Sequence, residues 1–283
     1  MNEKSILHRI EDFLSGSLTG VATRFVIAPL DVVKIRLQTQ NIRYGEKKYK
    51  GTFQTMFKIG KEEGITRLWS GNLIAEIYWF LYSGVQFASY EAVQELAGNT
   101  VHSSFISGAL SASITTLVTY PCDLLRTRFV YQGNERLYRH IISGTHSIIQ
   151  SEGFFGLYKG FLPCLISIVP YMGSCFYILE LLKSKLGDTP SRSTVYGAVS
   201  GVISKILVYP LDTGKKLLQV YRLSPKKQTV AEFLSCQYRA TGVRGLYAGV
   251  VAAILKSGLS SGLIFGFYAF AKKYLWGSTL VVC

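Results

Sequence analysis

Acidic residues are scarce in this sequence. Its 283 residues carry 31 Lys and Arg against 17 Asp and Glu, a formal charge of +14. Charge of either sign amounts to only 17%, too little to clothe an ordinary soluble domain of this length. The five cysteines, Cys122, Cys164, Cys175, Cys236 and Cys283, show no C-x-x-C and no paired spacing. That argues against a disulfide framework or zinc site and for small buried hydrophobes. Four scattered histidines offer no pair at metal-ligand spacing. No Ser-His-Asp or Cys-His arrangement recurs, so the residues point away from an enzyme. Residues 1–12 form neither an apolar secretory core nor an Arg-rich, acid-poor presequence, so any targeting signal is expected to be internal. Net charge alone would admit nucleic acid, but the cations lie among long apolar runs rather than on a solvated face, and no nucleic-acid partner is expected.

What the chain does have is repetition. Pro29-Leu30-Asp31-Val32-Val33-Lys34-Ile35-Arg36 returns as Pro121-Cys122-Asp123-Leu124-Leu125-Arg126-Thr127-Arg128 and as Pro210-Leu211-Asp212-Thr213-Gly214-Lys215-Lys216-Leu217. A second element follows each copy: Glu63-Gly64 with Trp69-Ser70-Gly71, Glu152-Gly153 with Tyr158-Lys159-Gly160, and Thr241-Gly242 with Tyr247-Ala248-Gly249. Two elements sharing one long period predict three homologous modules, with boundaries at 1–99, 100–190 and 191–283, forming one integrated unit.

Apolar segments at 13–40, 72–97, 102–130, 161–186, 194–220 and 250–276 each exceed the roughly 20 residues that cross a bilayer as a helix. The expected fold is therefore an all-α membrane protein with six transmembrane helices, two per pseudo-threefold repeat. Gly16 and Gly20, Gly197 and Gly201, and Gly108 with Ala112 stand in small-x-x-x-small spacing, which predicts close helix approach there. The three long connections, 41–71, 131–160 and 221–249, hold fifteen Lys and Arg. The short connections with their flanking helix ends, and the tails, hold seven. By the positive-inside rule the long loops face the negative compartment and both termini the opposite one.

Nine bases remain inside apolar segments, where each charge costs about 2.5–3.5 kcal/mol on insertion scales. Such charges persist when they pair or face a water-filled path. In every module the Asp and the next base are three apart, on one helix face: Asp31 and Lys34, Asp123 and Arg126, Asp212 and Lys215. A proline ahead of each pair removes a helix hydrogen bond and favours a kink. Three such helices around a threefold axis would let the Asp of one module bond the base of the next, a ring of ion pairs that closes one mouth of a pore and can be broken. Arg24 and Lys205 stand seven residues before Asp31 and Asp212, two turns along the same face, with neutral Thr116 between them in the repeat. With Lys256 they leave three cations outside the repeated motif against one further acid, Glu76, which predicts an anion-selective cavity. A set of Arg and Lys suits a diphosphate. Tyr78, Trp79, Tyr82, Tyr171 and Gln86 would supply stacking faces and polar handles for a ring system. For Trp79 a lipid-facing or packing position is the preferred reading.

These motifs resemble the mitochondrial carrier family over essentially the full chain. The resemblance implies three short matrix helices beside the six spans, one central site open alternately to cytosol and matrix, and a monomer. It makes the Asp–base ring a matrix gate braced by Gln38 and Gln219, whereas Val130 fails to match. Leu217, where a second base is usual, together with Thr241 and Ala248, predicts weaker matrix-side links in the third module. Of the family's cytoplasmic gate, Glu91 and Lys183 remain as one strong link. Contact positions fall on Tyr78, Ser167 and Lys256, and one turn further on Tyr82, Tyr171 and Ser260. The stretches Thr23-Arg24-Phe25, Gly84-Val85-Gln86-Phe87, Gly201-Val202-Ile203-Ser204-Lys205 and Leu255-Lys256-Ser257 are similar to the branch that imports thiamine pyrophosphate in exchange for a nucleotide or thiamine monophosphate. The cavity chemistry would equally admit nucleotides or coenzyme A. The resemblance also implies inner-membrane residence without a resident cofactor, termini toward the intermembrane space, and cardiolipin at Gly71, Gly160 and Gly249, where backbone N–H groups and the helix dipole favour phosphate.

Overall fold

The computed structural model describes residues 3–44, 48–97, 101–133, 137–138, 140–187, 190–221 and 230–275; Cys283 and the end of the last apolar segment at Trp276 lie outside them. Among the described residues there is no strand. Six long helices dominate: α1 (Glu3–Tyr44), α3 (Asn72–Ala97), α4 (Val101–Tyr131), α6 (Phe161–Leu186), α7 (Pro190–Val220) and α10 (Val250–Leu275). Between the two long helices of each module lies a short one: α2 (Thr52–Glu62), α5 (Ile141–Glu152) and α8 (Val230–Thr241), with a single turn α9 (Val243–Leu246) after the last. Short 3-10 turns at Ile65–Trp69 and Phe154–Tyr158 occupy the place of α9 in the first two modules.

The helices α1, α4 and α7 continue through Pro29, Pro121 and Pro210. In hydrocarbon a broken helix would leave backbone groups without water, so continuing past the proline is the less costly course. Among the described residues, the stretches Phe154–Leu186 and Val243–Ala271 are the ones long and apolar enough by themselves to cross a membrane.

Burial runs inside out. Phe80, Phe87, Val169 and Phe270 are at least 60% exposed along the outer faces. Ser107, Ser111, Thr115 and Thr119 of α4 are fully buried, as are Ser200 and Ser204 of α7. Water would reverse that pattern; lipid permits it. Spaced four apart, these hydroxyl residues form the stripe on which helices meet: Gln86 of α3 donates to Ser111 at 3.0 Å, and Cys175 of α6 lies 3.6 Å from Ser200. The expectation of close approach at the glycines is corrected. A Cβ at Gly16, Gly20, Gly108, Gly197 or Gly201 would meet nothing within 4 Å.

Closure follows from the pairing. The second helix of each module lies along the first helix of the next, α3 on α4 and α6 on α7, and α10 returns to α1. The first helices α1, α4 and α7 converge on one another at the end carrying the long loops, called here the loop end. Each second helix begins beyond a glycine with positive φ, Gly71 (+73°), Gly160 (+81°) or Gly249 (+82°). A Cβ there would stand 3.2, 3.0 or 3.1 Å from the carbonyl oxygen of Arg126, Lys215 or Lys34 respectively. Both the left-handed conformation and the close approach require glycine. The repeated aromatic-x-Gly element thus seats each second helix against the ring base of the following module.

Candidate functional site

Convergence of α1, α4 and α7 brings the three motif carboxylates to the motif bases of their neighbours. Arg126 reaches Asp31 at 2.5 Å, Lys215 reaches Asp123 at 2.8 Å, and Lys34 reaches Asp212 at 2.6 Å. The expected ring of ion pairs between modules is closed.

Its brace is uneven. Gln219 donates to Asp123 at 2.9 Å and to the Tyr120 hydroxyl at 3.1 Å, while its own oxygen accepts from Thr127 and Lys216. Gln38 donates to Thr213 at 3.3 Å rather than to the neighbouring ion pair, and its oxygen is buried without a hydrogen-bond partner among the described residues. Val130, the mismatch, is packed among apolar residues. Tyr120 and Tyr209, one residue ahead of Pro121 and Pro210, stack on Tyr158 and Tyr247 and donate to the carbonyls of Lys159 and Ala248.

Each ring carboxylate holds a second cation, and this corrects the sequence reading of Arg24, Lys205 and Lys256 as stranded positive groups. Lys256 lies 2.6 Å from Asp31, Lys205 lies 3.4 Å from Asp212, and Arg24 lies 3.8 Å from Glu76. The second cation of Asp123 is Lys216, at 3.1 Å, which the sequence reading counted but gave no role. Convergence of the helices decides these pairings, and helix spacing alone does not reveal them. The positive surplus survives as a property of the cluster, since its seven cations face four carboxylates, three of them shared.

Next to this cluster two hollows adjoin, sharing Tyr171 and Lys205 as walls. One, of about 290 Å³, is walled by Tyr78, Tyr82 and Ser167 together with Thr116. The other, of about 450 Å³, has Lys256 and Ser260 opposite the open face of Gly197 and Gly201. Trp79 also lines the first hollow, with the Arg24 guanidinium 4.3 Å above its ring, so the lipid-facing assignment is wrong. Spacing offers the missed signal: Trp79 precedes Tyr82 by three, on the same helix face. Cys164, read as an inert buried hydrophobe, lines this hollow and accepts a hydrogen bond from Lys215 at 3.2 Å. It stands three residues before Ser167, which would have marked it.

Four expected site residues lie outside both hollows, Arg24 among them, held by Glu76 and the Trp79 ring. Gln86 is engaged with Ser111 between α3 and α4, and neither hollow includes it. Glu76 keeps to Arg24, and one of its carboxylate oxygens is buried without a hydrogen-bond partner among the described residues. Glu91 is exposed, and no ion pair between it and Lys183 is among those of the described residues.

A profile of the mitochondrial carrier protein family matches this chain three times, at residues 7–101, 97–190 and 187–279. The chain belongs to that family, whose members are membrane transporters of mitochondria. Among its relatives it is 40% identical to mitochondrial thiamine pyrophosphate carrier 1 of Phaeosphaeria nodorum over 280 residues, 88% of this chain and 87% of that one. Proteins of the same name from Aspergillus terreus (38% identical; 88% and 87% covered) and Coccidioides immitis (35%; 94% and 93%) are similar along as much of their length.

Proposed function

We propose that this protein imports thiamine pyrophosphate across the mitochondrial inner membrane, in exchange for a nucleotide or thiamine monophosphate, by alternating access. The observation that carries the reading is a cation-rich cluster beside an aromatic-walled hollow, above a closed ring of ion pairs. The names of the relatives support thiamine pyrophosphate over other phosphates. On this reading the loop end faces the matrix, as its excess of Lys and Arg suggests, and the termini face the intermembrane space. A closed ring at the loop end fits a state open toward the intermembrane space. The protein acts as a monomer, its repeats 1–99, 100–190 and 191–283 forming one transmembrane unit. Cardiolipin seats at the helix starts beyond Gly71, Gly160 and Gly249.

Incoming phosphate oxygens compete with Asp31 for Lys256 and with Asp212 for Lys205. A carboxylate that loses its second cation holds the ring less firmly, so binding favours the state in which the ring is open. A ligand shifts such an equilibrium only by its difference in affinity for the two states. Exchange of one oxyanion for another on the same lysines provides that difference.

Reconstitution into liposomes tests this. Labelled thiamine pyrophosphate should accumulate in vesicles loaded with nucleotide, with external ADP and coenzyme A as weaker competitors. Lys256→Ala and Arg24→Ala should reduce uptake to background while the detergent-solubilised protein still unfolds cooperatively. Uptake retained in both variants would remove the proposed site. Uptake of ADP or coenzyme A in preference to thiamine pyrophosphate would reassign the cargo.

A further inference from the structure

The two adjoining hollows differ in charge and in surface. The hollow between α7 and α10 is lined by one carboxylate, Asp31, and by three cations, Lys34, Lys205 and Lys256. Hydroxyls of Ser257, Ser260 and Ser261 border the same space, and its single aromatic is the shared Tyr171. The hollow bounded by α3, α4 and α6 is lined by two carboxylates, Asp123 and Asp212, and two cations, Lys205 and Lys215, which cancel. Its walls are aromatic: Tyr78, Trp79, Tyr82 and Tyr120 besides Tyr171.

The ring repeats this asymmetry. Asp31 and Asp212 draw their second cations, Lys256 and Lys205, from the walls of the hollows. Asp123 instead draws Lys216, a residue that lines neither hollow and whose ammonium also meets Thr127 and Gln219. A phosphate entering from the cavity therefore finds exchangeable lysines beside α7 and α10 and none beside α4. Thr116 is the residue on α4 that matches Arg24 and Lys205 in the repeat. It lines the neutral hollow, and its hydroxyl is spent on the Ala112 carbonyl of its own helix at 2.6 Å.

We infer that the cargo lies across both hollows in one fixed direction, phosphates against α7 and α10, ring system against the aromatic wall of α3, α4 and α6, with neutral Thr116 as the residue that admits a cationic ring. This deepens the proposed function and rests on it for the identity of the ring. A thiazolium ring carries positive charge, so a third module cation at this position would repel it where a threonine does not. Aromatic faces favour the same cation. Lys205, common to both hollows, lies where the chain of phosphates meets the ring system.

The test separates the two ends of the ligand by measuring thermal stabilisation of the detergent-solubilised protein, which needs no transport. Inorganic pyrophosphate probes the phosphate end alone, and thiamine pyrophosphate probes both ends. In Thr116→Lys, the concentration of thiamine pyrophosphate giving half-maximal stabilisation should rise about tenfold, the scale of a single repulsive contact, while that of pyrophosphate stays the same or falls. In Ser260→Asp, which adds negative charge to the phosphate hollow, the two ligands should weaken together. Thr116→Ser should behave as the parent protein, and unaltered pyrophosphate binding shows that Thr116→Lys is folded. Equal weakening of both ligands by Thr116→Lys, or no change in either, would overturn the inferred direction. A parent protein stabilised by pyrophosphate and ADP but not by thiamine pyrophosphate would refute the proposed cargo while leaving the phosphate end in place. A parent protein that pyrophosphate does not stabilise would refute the direction itself.

Discussion

At the loop end, modules one and two tie their short helix to the ring helix with buried charge, and module three does not. In module two the Arg128 guanidinium holds Glu152 through two parallel hydrogen bonds of 2.7 Å, and Lys159 joins the same carboxylate at 2.8 Å. In module one Arg36 reaches Glu63 at 2.7 Å through one nitrogen, while its Nε and Nη1 are buried without a hydrogen-bond partner among the described residues. In module three the matching residues are Leu217, 1% exposed, and Thr241, whose hydroxyl donates to the Gln237 carbonyl of its own helix. The base shifted by one position to Lys216 serves the ring. The repeat thus keeps the contact between ring helix and short helix everywhere but grades its strength. In module three the short helix α8 is instead reached from module one by a neutral hydrogen bond, Asn41 of α1 donating to Gln237 at 3.1 Å.

Glu152→Ala should break this comparison most severely. It leaves Arg128, 4% exposed, and Lys159 without their carboxylate, and removing one partner of a buried pair costs about 3–5 kcal/mol. Thermal unfolding in detergent would register the loss, and a variant as stable as the parent would show that charge does not hold this joint. Glu63→Ala comes next, at about 3 kcal/mol, because a single ion-pair contact goes and Arg36 is already only partly bonded. If Glu63→Ala proved the more damaging, the grading would be inverted.

Acid sharpens the contrast with a smaller effect. Burial pushes the Glu152 carboxyl up, but hydrogen bonds from Arg128 and Lys159 outweigh it and hold it below the usual carboxylate range. A depressed carboxylate contributes its stability above its unfolded pKa and loses it as pH falls through the folded value. Lowering the pH from about 6 to below 4.5 should therefore destabilise the parent. Glu152→Gln should be less stable than the parent at neutral pH and should lose less on acidification. An unchanged acid slope in Glu152→Gln would assign the sensitivity to other carboxylates.

Much of this was legible before any coordinates. Asp31, Asp123 and Asp212 each precede a base by three and recur at a fixed period, so the ring and its closure between modules follow from helix geometry and symmetry. The grading was half visible, since Leu217 and Thr241 break the pattern on the line of sequence. Other parts depend on which helices lie together. That Lys256 of α10 meets Asp31 of α1 follows from the last helix closing onto the first. The helix-packing stripe was misread because glycine spacing is the familiar signal, whereas the buried stripe is Ser107, Ser111, Thr115 and Thr119, hydroxyl residues four apart. For Trp79 the sequence leaves a stacking face and a lipid-facing position both open, and Arg24 above its ring is set by the packing of α1 on α3, which composition does not reveal.

The finest change would give module three the joint it lacks. Beside Thr241 is a polar hollow of about 20 Å³ that Asn41, Gln237 and Arg244 also line, and Asn41 has a buried oxygen without a hydrogen-bond partner among the described residues. Leu217→Arg alone places a charge in an apolar site and should be strongly destabilising. Thr241→Glu alone should be milder, because Arg244 is at hand. Combined, they should recover most of the loss, with a coupling of about 1–3 kcal/mol in a double-mutant cycle. The net gain over the parent should stay within about 1 kcal/mol, since desolvating two charges offsets most of their attraction. Uptake should slow more than stability changes, because the added joint fastens the one side of the loop end that charge leaves loose. Additive single effects would mean that positions 217 and 241 do not face each other as Arg36 faces Glu63, and that module three departs from the repeat in shape as well as in charge.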